Sequence, residues 1–216
     1  MKTPIYLMPG MAANHKIFKF LRFPEEYEVY YVHWLIPKKN EPLKNYAGRL
    51  QEQIKHDNPV LLGVSFGGII VQELAKQIAV KKLILISTVK HHEEFPPFFE
   101  TAFRYRLYNL FPSSVLQKVN WLEKMAFTRN FKQKMKLYRT YMDINDPKYL
   151  NWAIKQVLQW KQTRDLKNFV HIVGEKDKIF PIKYIKDPKI VVSGGRHDMI
   201  LFRAKHINPL LKKYLQ

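Results

Sequence analysis

An α/β fold, with a mostly parallel β-sheet flanked by helices, is what this sequence predicts, on three observations. Short apolar runs rich in branched and aromatic residues recur along the chain and read as buried strands. Helical patterns lie between most of them, the alternation expected of a parallel sheet covered on both faces. The alternation breaks once, between Lys90 and Lys167, in the manner of an insertion.

In chain order the predicted strands are "PIYLM" (Pro4–Met8), "EVYYVHW" (Glu28–Trp34), "VLLGV" (Val60–Val64), "KLILIST" (Lys82–Thr88), "FVHIVG" (Phe169–Gly174) and "KIVVSG" (Lys189–Gly194). The helical pattern "LKNYAGRLQEQIKH" precedes the third strand and "GGIIVQELAKQIA" follows it. The final segment, "RAKHINPLLKKYLQ", reads as a closing helix that Pro209 must interrupt or kink. The interval 90–167 holds "FPPFFETAFRYRLYNLF", "SVLQKVNWLEKMAF" and "PKYLNWAIKQVLQWK", all helical in pattern and dense in aromatics. Residues 1–89 and 168–216 are therefore read as the core, and 90–167 as a helical cap over the carboxyl ends of the strands, where open parallel sheets bind ligands. A second helical domain without a role in a site is the other reading of that interval.

Composition narrows the function classes. The 216 residues suffice for one sizeable core, and 46% hydrophobic with 25% charged residues is ordinary globular usage. The absence of cysteine excludes a disulfide framework, a thiolate metal site and a cysteine nucleophile. The opening "MKTPIYLMPGM" is too short and too interrupted by Pro4, Pro9 and Gly10 for a signal peptide, and no stretch approaches the ~20 apolar residues of a membrane span. A soluble cytoplasmic protein is the expectation.

The formal net charge of +19 is the compositional outlier and raises nucleic acid, an anionic membrane surface or an acidic substrate as partners. Its densest run, "RNFKQKMKLYR" (Arg129–Arg139), has the spacing of a solvated helix face, with Phe131, Met135 and Tyr138 turned inward. Nucleic acid is accordingly the lesser expectation for a partner.

The stretch "VLLGVSFGGII" sets three of the chain's eight glycines, Gly63, Gly67 and Gly68, around Ser65. A buried strand, then G-x-S-x-G, then a helix is the context of a nucleophile elbow, whose tight turn tolerates only small residues two positions before and after the serine. A glycine-packed crossover with an idle serine is the alternative. A serine hydroxyl needs a base within hydrogen-bond reach, itself oriented by a carboxylate. Asp177 falls on the loop after the fifth strand and His197 on the loop after the sixth, so parallel strands bring both to the edge that carries Ser65. Glu175 is the main alternative acid; Asp198, directly after His197, and Glu93 and Glu94, after the fourth strand, are further candidates. His171 lies within a predicted strand and reads as a core histidine, and His91 and His92 read as surface residues.

The order Ser65, Asp177, His197, each on a loop after a strand, together with "GVSFGG", resembles the α/β-hydrolase superfamily over nearly the whole chain. The resemblance implies a parallel sheet flanked by helices, here beginning at the family's third strand and lacking the first two, with a cap inserted where the alternation breaks. It also implies an oxyanion hole built from the amide of Phe66 and an amide of the loop "MPGMAAN". In that loop Pro9 stands where many members have histidine; Gly10 lets the chain turn close to the substrate, and Met11 is the expected second donor. The expected chemistry is hydrolysis of a carboxylic ester or thioester, with a small-molecule acyl substrate and no metal or organic cofactor. Carbon–carbon bond cleavage, a lyase reaction and a non-catalytic ligand-binding role on the same fold are the alternatives.

Overall fold

The computed structural model describes residues 2–105, 139–162 and 165–216. Six strands form one sheet: β1 (Thr3–Met8), β2 (Tyr27–Tyr31), β3 (Val60–Val64), β4 (Lys82–Ile86), β5 (Phe169–Gly174) and β6 (Ile190–Val192). Their spatial order is β2-β1-β3-β4-β5-β6, and every neighbouring pair is parallel. The chain goes from β1 outward to β2, then returns to the other side of β1 with β3. That reversal opens a crevice between the carboxyl ends of β1 and β3, the place where ligands bind in such sheets.

The two faces of the sheet are read off the alternation along each strand. Tyr6, Met8, Leu61, Leu83 and Leu85 point into one core, which they share with α1 (Leu43–Leu50), α2 (Phe66–Leu74) and, beyond α3 (Pro97–Arg104), with α4 (Pro147–Gln159). Ile5, Leu7, Val60, Leu62, Ile84 and Ile86 point into the other, closed by Ile17, Phe18, the short α5 (Met199–Phe202) and α6 (Ala204–Leu215). Burial on both faces explains why these strands are apolar at consecutive positions. Helix α6 runs through Pro209 without the interruption that was one of its two expected effects. Ile207, Leu211 and Leu215 form a buried stripe that holds the helix to the sheet despite the missing amide.

Between β4 and β5 the described residues contain helices and no strand. Helix α4 begins at an Asp146 cap, whose side chain accepts the Tyr149 amide at 2.8 Å, with Pro147 in the first turn. The predicted segments "SVLQKVNWLEKMAF" and nearly all of "RNFKQKMKLYR" lie outside the described residues. Among those described, no helix is long and apolar enough to cross a membrane.

Candidate active site

Ser65 closes β3 with φ 53° and ψ −122°, a left-handed conformation that a residue with a side chain adopts only under compulsion. The compulsion is packing. A Cβ added at Gly63 would stand 2.4 Å from the Gly67 oxygen, and one at Gly67 would stand 2.3 Å from the Pro9 oxygen. The third glycine has its own reason, since a Cβ at Gly68 would stand 2.5 Å from Cγ2 of Thr88. Thr88 in turn donates its hydroxyl to the Ser65 carbonyl at 2.8 Å, and the Ser65 amide donates to the Ile86 carbonyl at 3.0 Å. The serine is thus fixed through its backbone from both sides, leaving the hydroxyl half-exposed at the sheet edge.

His197 and Asp177 arrive from the two adjacent strand ends. Nε2 of His197 is 2.9 Å from Oγ of Ser65, and Nδ1 is 2.9 Å from Oδ2 of Asp177. The other carboxylate oxygen, Oδ1, accepts the amides of Ile179 at 2.8 Å and Phe180 at 3.0 Å, so the buried Asp177 has only Oδ2 left for the imidazole. An ionised carboxylate only accepts, which puts the neutral ring's proton on Nδ1 and leaves the Nε2 lone pair facing the serine hydroxyl. The Phe180 ring meets the imidazole edge-on at 5.4 Å and closes one side of it.

The other acids have other work. The exposed Glu175 reaches from the end of β5 to the turn after β6, accepting the Gly194 amide at 2.6 Å and the Ser193 hydroxyl at 3.1 Å. These bonds, the Gly194 amide first, hold its carboxyl below the usual range. Glu175 therefore braces the turn that presents His197. Gly194 takes φ +62° there, and a Cβ at Gly174 would stand 2.6 Å from the Gly195 oxygen, so the two loops touch backbone to backbone. Asp198 opens α5 without a side-chain cap. Glu94 is buried at the base of the β4–β5 interval, where it accepts the amides of Lys90 at 2.8 Å and Lys186 at 2.9 Å and pairs with the Lys90 ammonium. Its neighbour Glu93 is exposed and pairs with Lys186, which holds the Glu93 carboxyl below its ordinary value. Ligand atoms of His91, His92 and Glu93 lie within 4.8 Å of one another, but the Lys186 ammonium already occupies the carboxylate of that group.

His171 is buried on β5, and its Nε2 is 2.9 Å from the Thr88 carbonyl, an arrangement in which Nε2–H donates. Nδ1 has no partner among the described residues. Burial therefore pushes the imidazole down to about 4, against an opposing contribution from the Thr88 bond. Expected as a core histidine, it also supports the residue that holds the Ser65 carbonyl.

The loop after β1 passes beside the serine, with the Cβ position of Gly10 3.4 Å from the Ser65 Cβ. Its turn is closed by the Ala13 amide on the Gly10 carbonyl at 3.0 Å, with a half-buried Met11 at the shoulder and Ala12 at φ 63°. Neither the Met11 amide nor the Phe66 amide donates to an acceptor among the described residues. The Phe66 side chain is buried, its ring stacked on Trp34 at 5.4 Å, so the amide that opens α2 is held by a packed residue. Thr88 and Trp34 were not singled out by their sequence positions, and Glu175 was singled out as an acid rather than as a brace; only the second glycine of "FGG" signals that something, here Thr88, approaches the elbow closely.

No family model matches the sequence, and no curated protein matches it significantly. Solved structures do. A hydrolase from Pseudomonas aeruginosa superposes with a TM-score of 0.74 at 14% identity, over 99% of this chain and 90% of the other. A candidate non-heme bromoperoxidase from Mycobacterium tuberculosis gives 0.72 at 14% identity, over 100% and 92%. A thermophilic esterase from Thermogutta terrifontis gives 0.65 at 16% identity, over 100% and 90%. The protein has the α/β-hydrolase fold.

Proposed function

We propose that the protein is a serine hydrolase that cleaves a carboxylic ester or thioester through an acyl-enzyme intermediate. The observation that carries this reading is the continuous chain from Ser65 Oγ through His197 to a buried Asp177, with 2.9 Å at each junction. His197 Nε2 takes the hydroxyl proton as Oγ bonds to the substrate carbonyl carbon, and Asp177 stabilises the imidazolium that results. The negative charge on the carbonyl oxygen is met by the amides of Phe66 and Met11, each such donor being worth about 10²–10³ in rate. When the tetrahedral intermediate collapses, the bond to the leaving oxygen or sulfur breaks and His197 returns its proton to that atom. Water then repeats the sequence on the acyl-serine, releasing the carboxylic acid and the serine hydroxyl. The leaving group departs with the proton that came from Ser65, and His197 passes a proton of the attacking water back to Ser65 Oγ, so the protons balance among serine, histidine, substrate and water and the scheme uses no cofactor.

The substrate reading follows from what borders the imidazole. Phe180 touches His197, Phe99 lies 5.8 Å from Phe180, and Phe95 and Phe98 pack on Phe99. Phe98 is left 54% exposed, so this aromatic file ends at an open apolar surface suited to an alkyl or aryl group. The interval 90–167 is read as the cap that brings these rings over the site. The net charge of +19 favours a substrate that also carries negative charge, which long-range attraction would steer.

The deciding experiment is labelling with a fluorophosphonate probe at neutral pH, with the modified peptide mapped by mass spectrometry. Labelling at Ser65 in the wild type, and its loss in Ser65→Ala and His197→Ala, is the expected result. A folded wild-type protein that does not label overturns the reading.

A further inference from the structure

The loop that carries Met11 holds a costly conformation, and most of its restraints come from far along the chain. Ala12 sits at φ 63°, where an alanine is strained and a glycine would not be. Such a residue persists only where its surroundings over-determine it. From the sheet side the loop receives one side-chain bond, Trp34 Nε1 donating to the Ala13 carbonyl at 3.1 Å. The other hydrogen bonds that reach the loop from elsewhere among the described residues come from residues 140–149. The Ile144 amide donates to the Ala12 carbonyl at 3.1 Å, the Asn14 amide donates to the Tyr141 carbonyl at 2.8 Å, and Asn14 Nδ2 donates to the Thr140 carbonyl at 3.0 Å. Tyr149 completes the enclosure. Its buried ring packs on Trp34 at 5.2 Å, and burial raises its hydroxyl well above the usual phenol range as it faces the Ala12 backbone.

We infer that residues 140–149 form a positioning clamp that holds Ala12 at positive φ and so aims the Met11 amide at the reacting oxygen, with Asn14 as the side chain that fastens it. The inference rests on the reading of Ser65 as the nucleophile and Met11 as an oxyanion donor. It adds that the interval after β4 completes the oxyanion hole rather than only covering the substrate. When the 140–149 segment moves away, Ala12 relaxes toward negative φ and the Met11 amide turns out of line. Asn14 is a positioning residue and touches no reacting atom.

Asn14 makes two side-chain bonds, and they can be separated. Oδ1 accepts the Lys16 amide at 2.9 Å and caps the following 3₁₀ turn, while Nδ2 fastens Thr140. Asn14→Asp retains the capping oxygen and replaces the donor to Thr140 with a carboxylate oxygen that repels that carbonyl. The experiment compares wild type, Asn14→Asp, and Asn14→Asp combined with Ala12→Gly, using turnover of a short-chain p-nitrophenyl ester and amide hydrogen exchange followed by mass spectrometry. In Asn14→Asp, kcat is expected to fall about tenfold with KM changed less than about twofold, the pattern of an interaction felt only in the transition state. Exchange is expected to accelerate together in the peptides spanning 10–16 and 140–146. Ala12→Gly is expected to restore part of the lost kcat, because glycine enters positive φ without the steric cost that alanine bears. Exchange that stays unchanged in both peptides, or a kcat equal to wild type, overturns the clamp. A wild type that neither labels at Ser65 nor turns over ester overturns the hydrolase reading instead, and the exchange measurement then decides the clamp by itself.

Discussion

Gly63→Ala tests whether the elbow is held by packing in the way described. The added methyl would stand 2.4 Å from the Gly67 oxygen and 2.6 Å from both the Gly67 carbonyl carbon and the Gly68 Cα, all backbone atoms of the first turn of α2. Ordinary contact begins near 3.4 Å, so that turn has to retreat from β3 by about 1 Å. A buried overpacked methyl costs about 1–3 kcal/mol, which in a domain of this size lowers Tm by roughly 3–10 °C. The functional cost is larger in proportion, because the turn carries the Phe66 amide and follows Ser65 directly. Misplacing a reacting group by about 1 Å costs on the order of 10²-fold. The assay pairs thermal melting with the rate of fluorophosphonate labelling at Ser65. Gly10→Ala is the control, since its methyl meets the Ser65 Cβ at an ordinary 3.4 Å; it should melt within about 2 °C of wild type. A Gly63→Ala protein that melts like Gly10→Ala and labels like wild type would refute the packing argument.

Three further outcomes follow from the same geometry. Asp177→Asn should lower kcat by about 10²–10⁴-fold by disturbing the imidazole tautomer, with circular dichroism showing retention of the fold; a loss under tenfold would direct attention back to Glu175. Stability should fall on acidification through His171, whose imidazole titrates near 6.5 when unfolded and about 4 when folded. Its lowered value means the unfolded chain binds more protons between those pH values, so the contribution is present above 6.5 and lost as pH falls toward 4, with about 2 kcal/mol gone by pH 5. His171→Gln keeps a donor for Thr88 and lacks the titrating ring, so chemical denaturation at pH 7 and pH 5 should show a smaller difference than in wild type. Finally, kcat/KM for an anionic ester should drop several-fold more than that for a neutral ester as salt rises from about 0.01 to 0.2 M, and equal salt dependence would remove steering from the account.

The inner strands β1, β3, β4 and β5 were legible because both faces of each are covered, the edge strands β2 and β6 less so because they are partly exposed, and strand ends were least so because local partners decide them. The second strand was expected to reach Trp34 but ends at Tyr31. The Val32 amide still reaches the Leu7 carbonyl at 3.0 Å, whereas the His33 amide and carbonyl pair with the Gln53 side chain at 2.8 and 2.9 Å and leave the ladder. The fourth strand stops at Ile86 because Ser87 turns to φ 49°. Ser65, His197 and Asp177 were readable because each follows a strand end by a few residues, so topology alone brings them to one edge. Choosing between Asp177 and Glu175 required side-chain partners, since both sit on one loop two residues apart. The hold of residues 140–149 on the Met11 loop left no trace in residue types, because two of its three hydrogen bonds are between backbone groups more than a hundred positions apart.

Where the fold accepts strain follows the same line. Six non-glycine residues among those described have positive φ. Three are asparagines, Asn40, Asn58 and Asn168, a residue type that enters the left-handed region at low cost, and two of these lie just before β3 and β5 at the far end of the sheet. The other three, Ala12, Ser65 and Ser87, have no such dispensation, and they follow β1, β3 and β4 at the carboxyl edge. Each is restrained from outside its own turn: Ala12 by Ile144, Ser65 by Thr88 and Ile86, and Ser87 by its amide on the Ile172 carbonyl at 3.0 Å. Unrelieved strain on three neighbouring strand ends, each held by distant contacts, is what a site needs if a hydroxyl and two amides must converge on one carbonyl group before it arrives. A crossover built only for packing could have used asparagine or glycine at all three, as the rest of this chain does.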